Sequence, residues 1–134
     1  MERKKRLGIG LVGAGFVARF HLRSFVGVRD ADVLGIVSRT EKRAEEAASL
    51  ARELGVGEPR VYKSITEMVA SPEIDAIWIC SPNYTRLEVM EEIAEAVLSG
   101  KGELIGVACE KPLGRNVREA KKMLELARKA GLLD

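Results

Sequence analysis

The sequence predicts an α/β protein with a doubly wound parallel sheet. Two observations lead to this fold class. Short apolar runs alternate with longer amphipathic runs along the whole chain, and residues 76–80 (AIWIC) are apolar throughout. An uninterrupted apolar run is typical of a strand covered on both faces. Strands that alternate with helices favour a parallel sheet with helices on both sides.

Each element follows from a local signal. The apolar runs predict five strands, at residues 7–12, 31–37, 60–62, 76–80 and 104–109. Helical spacing predicts five helices, at residues 16–26, 41–54, 64–70, 85–98 and 116–130. Thr40 is a predicted N-cap and Gly55 a predicted end of the second helix. Capping boxes are predicted at residues 64–67 and 116–119. The apolar side of the first helix is expected to include Val17 and Phe20.

A glycine-rich turn follows the first strand. Residues 13–18 (GAGFVA) fit G-x-G-x-x-G/A between a predicted strand and a predicted helix, the context in which this pattern indicates a dinucleotide site. Gly13 permits the tight turn, Gly15 lets a pyrophosphate approach the backbone, and Ala18 allows close helix–strand packing. The predicted contacts are Gly13, Gly15, Phe16 and Val17. A turn of small residues without a ligand, or the glycine-rich loop of a methyltransferase, is the alternative at this point.

The second strand ends in Ser38-Arg39-Thr40, where an NAD site usually carries an acidic residue. No carboxylate is present there to repel a 2′-phosphate. Ser38 can donate a hydrogen bond, and Arg39 offers a planar, permanently charged fork that suits phosphate. These three residues therefore predict NADP as cofactor, with NAD as the alternative. In the competing interpretation Arg39 is a solvated residue before a charged helix.

Polar residues also follow the fourth and fifth strands, whose carboxyl ends are where open parallel sheets bind ligands. Lys111 would place a cation beside the nicotinamide and a substrate oxygen, and could polarise a hydroxyl or carbonyl group. We predict it as the catalytic residue, although an isolated lysine in this position is more often a surface residue. The predicted cofactor-binding residues here are Cys80, Ser81, Pro82, Asn83, Glu110 and Lys111.

Composition excludes several other functions. Aromatic residues are 4% of the 134 residues and the net charge is +2, so neither base stacking nor phosphate attraction favours nucleic acid. No apolar run approaches a membrane span of roughly 20 residues. Cys80 and Cys109 form no CxxC pattern, which predicts no metal site and two reduced thiols in a cytoplasmic protein. The basic cluster at residues 3–6 is expected to be a solvated tail.

Together these motifs resemble the Gfo/Idh/MocA oxidoreductases, the group of glucose-fructose oxidoreductase and inositol dehydrogenase. The resemblance rests on residues 13–18, Cys80-Ser81-Pro82-Asn83 and Glu110-Lys111-Pro112-Leu113, in family order across residues 7–132. It implies a Rossmann cofactor domain and NAD(P)-dependent oxidation or reduction of sugars, polyols or related compounds. By position, Lys111 matches the lysine of the family's EKP motif, which contributes to catalysis and contacts cofactor and substrate.

The sequence departs from the family pattern in two places. Arg86 stands where the family commonly has a histidine, three residues beyond Asn83, and the loop at residues 99–103 is slightly long. His21 is the single histidine of the chain. Because it lies in the first predicted helix and not at a strand end, we expect it to be a helix-surface or packing residue.

Family members are more than twice as long as this chain. The resemblance therefore implies that residues 1–134 form the dinucleotide-binding domain, without the sixth strand and the C-terminal domain that supplies most of the substrate pocket. We expect little or no activity from this chain alone. A stand-alone binding module without turnover, and a homo-oligomer that covers the bare surface, are the alternatives. The sequence leaves open whether the chain is a truncation or a natural unit.

Overall fold

A computed structural model describes residues 6–134. Apart from Arg6, the predicted basic tail lies outside the described residues. The five strands are β1 Leu7–Val12, β2 Ala31–Val37, β3 Arg60–Val61, β4 Ala76–Ile79 and β5 Gly106–Cys109. The five helices are α1 Phe16–Ser24, α2 Glu41–Leu54, α3 Ile65–Ala70, α4 Arg86–Leu98 and α5 Val117–Lys129. Two 3₁₀ turns, Phe25–Gly27 and Asn83–Thr85, follow α1 and precede α4.

The strands form one parallel sheet in the order β3-β2-β1-β4-β5. The predicted fold class is thus confirmed. The chain moves outwards from β1 to β2 and β3, then crosses to β4 on the other side of β1. In such sheets the crevice at the carboxyl ends of the strands where the order reverses is the usual ligand site. Leu133 adds a single parallel bridge to Gly106 beyond β5.

Two cores lie on opposite faces of the sheet. One contains buried residues of α1 and α2, such as Leu22 and Ala48. The other contains buried residues of α3, α4 and α5, such as Met68, Ile93 and Met123. Both faces of the central strands are therefore covered, which explains why β1 and β4 read as near-continuous apolar runs.

A methionine packs against glycines of the two central strands. Met68 is fully buried, and a Cβ atom added at Gly10 or Gly35 would lie 2.8 or 2.9 Å from its Sδ atom. At Gly8 an added Cβ would lie 1.8 Å from the carbonyl oxygen of Glu73. These glycines of β1 and β2 therefore leave room for neighbouring residues.

The predicted helix ends are largely confirmed. Ser64 and Asn116 accept hydrogen bonds from the amides of Glu67 and Glu119, which is the first half of a capping box. The two glutamate carboxylates accept from the amides of Lys63 and Arg115, one residue before each N-cap. Gly55 ends α2 with a φ of 71°, the left-handed conformation that favours glycine. Thr40 occupies the N-cap of α2, but its hydroxyl makes no capping hydrogen bond. The prediction for Thr40 is therefore correct in position and wrong in mechanism.

Several sequence predictions are wrong. Helix α1 ends at Ser24 and not at residue 26, because residues 25–27 form a 3₁₀ turn. Strand β5 begins at Gly106 and not at residue 104, because its partner β4 begins at Ala76, which pairs with Gly106. The buried side of α1 contains Ala18 and Leu22, whereas Phe20 is 58% exposed. Ala18 and Leu22 are four residues apart and share the face of α1 that packs on the sheet, whereas Val17 and Phe20 lie off that face.

Candidate functional site

A cleft of about 680 Å³ lies at the carboxyl ends of β1, β2 and β4. It coincides with the crevice where the strand order reverses. Ten of the predicted cofactor-binding residues line it: Gly13, Gly15, Phe16, Val17, Ser38, Arg39, Thr40, Cys80, Ser81 and Pro82. The other three predicted residues, Asn83, Glu110 and Lys111, are not part of this lining. The fold therefore gathers the three predicted motifs at one edge, but leaves the lysine loop beside the cleft.

The glycine turn is held from both sides. The amide of Gly13 donates to the carbonyl oxygen of Val37 at 2.8 Å, and its φ is +107°. A Cβ atom at Gly13 would lie 2.8 Å from the amide nitrogen of Ser81. The turn therefore needs glycine both for its backbone conformation and for its contact with the end of β4.

The backbone at Gly15 faces open space. A Cβ atom added there would meet no atom within 4 Å. Gly15 is the N-cap of α1 and provides no side-chain hydrogen bond to the first turn of the helix. The amides of that turn are thus available to an external acceptor, and the helix dipole favours a negative charge there. This geometry fits a pyrophosphate group.

The end of β2 presents cationic side chains to the cleft. Arg39 and Arg43 both line it, and the guanidinium carbon of Arg39 lies 6.0 Å from the ring centroid of Tyr84. Because Tyr84 follows β4, Arg39 reaches across the end of β1. Ser38 accepts a hydrogen bond from the amide of Thr40 at 3.4 Å.

The end of β4 is buried and hydrogen-bonded. Ser81 is 9% exposed, and its hydroxyl accepts from that of Thr85 at 2.9 Å. Burial raises the pKa of the Cys80 thiol to about 12 and also raises the pKa of Cys109. Both cysteines are free and remain protonated at neutral pH, so neither is suited to be a nucleophile.

Arg86 has a role that the sequence did not reveal. It is 5% exposed, and its Nε atom donates to the carbonyl oxygen of Ser81 at 2.8 Å. Its Nη1 atom donates to the carbonyl oxygens of Glu110, at 2.8 Å, and Pro112. Arg86 therefore joins the loops that follow β4 and β5. Helical periodicity contained a signal, since Arg86 is three and four residues before the buried Val89 and Met90.

The loop after β5 carries Lys111 on its surface. Lys111 is exposed, and its amide donates to the Oε1 atom of Glu110 at 3.2 Å. The amide of Glu110 donates to the carbonyl oxygen of Ile79 at 2.9 Å. The peptide bond between Lys111 and Pro112 is cis. The loop thus continues directly from the sheet, with the lysine side chain at its exposed end.

His21 packs as expected and also makes a contact that was not expected. Its ring centroid lies 4.2 Å from that of Trp78, which confirms the packing interpretation. Its Nε2 atom is 2.6 Å from the Oε2 atom of Glu110. The hydrogen bond with His21, together with that from the Lys111 amide, lowers the pKa of Glu110 below the ordinary range of a glutamate. Glu110 is therefore ionised at neutral pH.

Residues 6–134 contain neither a metal-binding cluster nor a membrane-spanning helix. Within this range no cluster of three or more histidine, cysteine, aspartate or glutamate residues could hold a metal ion. Across the same residues, no helix has the length and apolar character needed to cross a membrane.

Comparison with known proteins agrees with this geometry. Residues 7–133 match the Gfo/Idh/MocA family, described as an oxidoreductase family with an NAD-binding Rossmann fold. The 1,5-anhydro-D-fructose reductase of Ensifer adhaerens is 31% identical over 124 residues, which are 92% of this chain and 34% of that protein. The myo-inositol 2-dehydrogenase of Thermotoga maritima is 30% identical over 125 residues, covering 93% and 34%.

A solved structure gives the same result. The crystal structure of a probable dehydrogenase from Thermotoga maritima superposes with a TM-score of 0.74 at 30% identity, covering 95% of this chain and 34% of that one. The chain thus spans about a third of the length of the curated relatives it matches. The family match over residues 7–133 selects the oxidoreductase interpretation of the glycine turn over the methyltransferase one. This chain belongs to the Gfo/Idh/MocA family and comprises its NAD-binding Rossmann fold.

Proposed function

We propose that this chain binds a nicotinamide dinucleotide in the cleft of about 680 Å³ and thereby serves the oxidation or reduction of a sugar, a polyol or a related small molecule. The open backbone at Gly15, beside the uncapped first turn of α1, carries the proposal. It offers amide donors and space where a pyrophosphate needs both. The printed names of the two curated relatives, an anhydrofructose reductase and an inositol dehydrogenase, support the substrate class.

We further propose that NADP is preferred over NAD. Ser38, Arg39 and Thr40 follow β2, where the ribose of the adenosine is normally bound, and all three line the cleft. Arg43, in the first turn of α2, adds a second guanidinium. A 2′-phosphate at this position would lie near the guanidinium groups of Arg39 and Arg43. Residues 38–40 contain no carboxylate that would repel it.

Dissociation constants for NADPH and NADH at one fixed salt concentration test this preference. In Arg39→Asp, the constant for NADPH should rise roughly 10- to 100-fold, because a charge-assisted hydrogen bond is lost and a repulsive charge is introduced. The constant for NADH should change much less. Arg23→Asp is the matched control, since Arg23 is an exposed residue of α1 outside the cleft lining. Tighter binding of NADH than of NADPH by the unaltered chain would refute the preference.

We propose that Lys111 acts at the substrate oxygen. The nicotinamide of a bound dinucleotide supplies or accepts the hydride. The ammonium group of Lys111 would hold the substrate hydroxyl or carbonyl oxygen by a hydrogen bond and stabilise negative charge that develops on it. The position of Lys111, exposed at the carboxyl end of β5 and next to the loop of β4, supports this role.

The same chain is expected to bind dinucleotide with little turnover, and we keep the stand-alone binding module as the second proposal. The observation that favours it is that the glycine turn lines the cleft while Lys111 does not. Assays with panels of sugars and polyols separate the two proposals: robust turnover by this chain would overturn the binding module. Failure to bind either dinucleotide would overturn both.

Turnover, where it is measurable, also tests the lysine. Lys111→Met should lower kcat by roughly 100-fold or more, because a positioned hydrogen-bond donor to the substrate oxygen is lost. Lys101→Met provides the control, since Lys101 is an exposed lysine in the loop before β5. Equal kcat values for both variants would refute the role of Lys111.

Location and assembly complete the proposal. The two free thiols, Cys80 and Cys109, favour a reducing compartment, and we propose the cytoplasm. We also propose that copies of the chain associate through exposed apolar surface, which includes Phe20 at 58% and Val26 at 63% exposure. Light scattering at high protein concentration tests this association, and a clean monomer would refute it.

A further inference from the structure

We propose that His21 is a positioning residue for Lys111: its imidazole donates a hydrogen bond to the carboxylate of Glu110, and that carboxylate in turn holds the amide of Lys111. This inference rests on the proposed role of Lys111 at the substrate oxygen. It gives a function to His21, which lies in α1 and belongs neither to the glycine turn nor to the loop that carries Lys111.

The orientation of the His21 ring is set by packing. Its centroid lies 4.2 Å from that of Trp78, with 33° between the ring planes. The ring of Phe20 contacts the imidazole edge-on, with 6.0 Å between the ring centroids and 76° between the ring planes. Since Trp78 belongs to β4 in the interior of the sheet, the imidazole is aimed by a rigid part of the fold.

The Glu110 carboxylate connects the helix with the loop. Its Oε2 atom lies 2.6 Å from Nε2 of His21, and its Oε1 atom accepts from the amide of Lys111 at 3.2 Å. The side chains of His21 and Glu110 are 20% and 18% exposed, so water has limited access to this contact. An ionised carboxylate can only accept, and the imidazole therefore carries its proton on Nε2.

The opposite side of the same residue is held by Arg86. Its Nη1 atom donates to the carbonyl oxygen of Glu110 at 2.8 Å. Glu110 is thus fixed through its side chain by α1 and through its main chain by α4. Lys111 is the next residue, so α1 and α4 together fix the position of the backbone that leads into it. Precise placement matters because a misplacement of about 1 Å can cost roughly 100-fold in rate.

The competing interpretation gives His21 only a packing role against Trp78. Two substitutions separate the interpretations. His21→Leu retains apolar contact with Trp78 but removes the donor. His21→Gln has an amide that can donate to Glu110 from nearly the same position. A packing role predicts that leucine is at least as good as glutamine, whereas a positioning role predicts that glutamine alone rescues Lys111.

The measurement is the NMR signal of the Lys111 amide in the full chain, together with its hydrogen-exchange rate. We expect His21→Leu to shift this signal and to increase its exchange rate roughly two- to tenfold, as expected for the loss of one hydrogen bond. His21→Gln should leave both close to those of the unaltered chain. Thermal unfolding, followed by circular dichroism, verifies that each variant is folded.

Glu110→Ala provides a second route if His21→Leu does not fold. It removes the carboxylate and leaves His21 against Trp78, and it should change the Lys111 signal in the same way. A Lys111 signal that is unchanged in Glu110→Ala or His21→Leu, or equally changed in His21→Leu and His21→Gln, would overturn the proposal. These measurements need no bound dinucleotide. A failure of NADPH to bind would therefore count against the proposed function, and not against the positioning of Lys111.

Discussion

The Nη1 atom of Arg86 donates a hydrogen bond to the carbonyl oxygen of Glu110 over 2.8 Å. A side chain of α4 thereby holds the loop that follows β5. The Nε atom of the same guanidinium binds the carbonyl oxygen of Ser81, after β4. Arg86 is a buried cation whose partners are main-chain carbonyls.

Removal of this guanidinium should be costly. In Arg86→Leu, carbonyl oxygens in a largely buried position lose charged donors, and we expect the free energy of unfolding to fall by roughly 2–4 kcal/mol. Arg86→Lys should recover part of the loss, because one ammonium group cannot reproduce the planar fork. Chemical denaturation measures both. Arg118→Leu, on the exposed side of α5, should change stability by less than about 0.5 kcal/mol. Equal effects of Arg86→Leu and Arg118→Leu on the free energy of unfolding would contradict a stabilising role of the Arg86 guanidinium.

The two glycines of the turn should respond differently to alanine. Gly13→Ala should lower the free energy of unfolding by roughly 1–3 kcal/mol and abolish dinucleotide binding, because its φ of +107° and the amide of Ser81 both exclude a Cβ atom. Gly15→Ala should cost less than about 1 kcal/mol, since its Cβ atom would enter open space. Denaturation and NADPH titration measure the two effects.

Gly15→Ala should nevertheless weaken NADPH binding strongly, because the new methyl group occupies the space proposed for the pyrophosphate. A folded Gly15→Ala variant with unchanged affinity would show that the phosphates bind elsewhere.

Stability should decrease in acid. The pKa of Glu119 is lowered by hydrogen bonds from Arg115, that of Glu110 by His21, and that of Asp32 by Arg6. Carboxylates with a lowered folded-state pKa stabilise the fold above their unfolded pKa of roughly 4. Their contribution is lost as the pH falls through the folded-state pKa values. We therefore expect the melting temperature to fall steadily below about pH 5.

A glutamine variant identifies one source of this dependence. Glu119→Gln should be less stable than the unaltered chain at pH 7, and its melting temperature should vary less with pH in the acid range. Glu45→Gln, at an exposed position of α2, should follow the unaltered curve. A Glu119→Gln curve with the full acid dependence would contradict the assignment.

Met68 and Gly10 should be energetically coupled. Met68→Ala should cost roughly 2–5 kcal/mol because the residue is fully buried. Gly10→Ala should also destabilise, because its Cβ atom would lie 2.8 Å from the Met68 Sδ atom. In the double variant the added methyl group enters the space left by the methionine. The combined loss should therefore be smaller than the sum by roughly 0.5–3 kcal/mol. Strict additivity in denaturation experiments would refute this contact.

Local sequence patterns were sufficient to identify the elements and the fold class. Apolar runs located the strands, and Ser64, Asn116 and Gly55 marked helix ends, because each of these signals acts within a few residues along the chain. The glycine turn was recognisable for the same reason. Gly13 needs a positive φ and Gly15 needs open space. Each requirement restricts the residue type at its own position, so it is visible in the sequence.

Contacts between side chains that are distant in sequence were not predictable from these local patterns. His21 and Glu110 are 89 positions apart, and their contact depends on how α1 packs on the sheet and where β5 ends. Helical periodicity places Arg86 on the buried side of α4, but only the packed structure brings the carbonyls of two separate loops to it. The surface position of Lys111 has the same origin. Local patterns record what each segment prefers, whereas the packing of segments against one another determines which groups share a site.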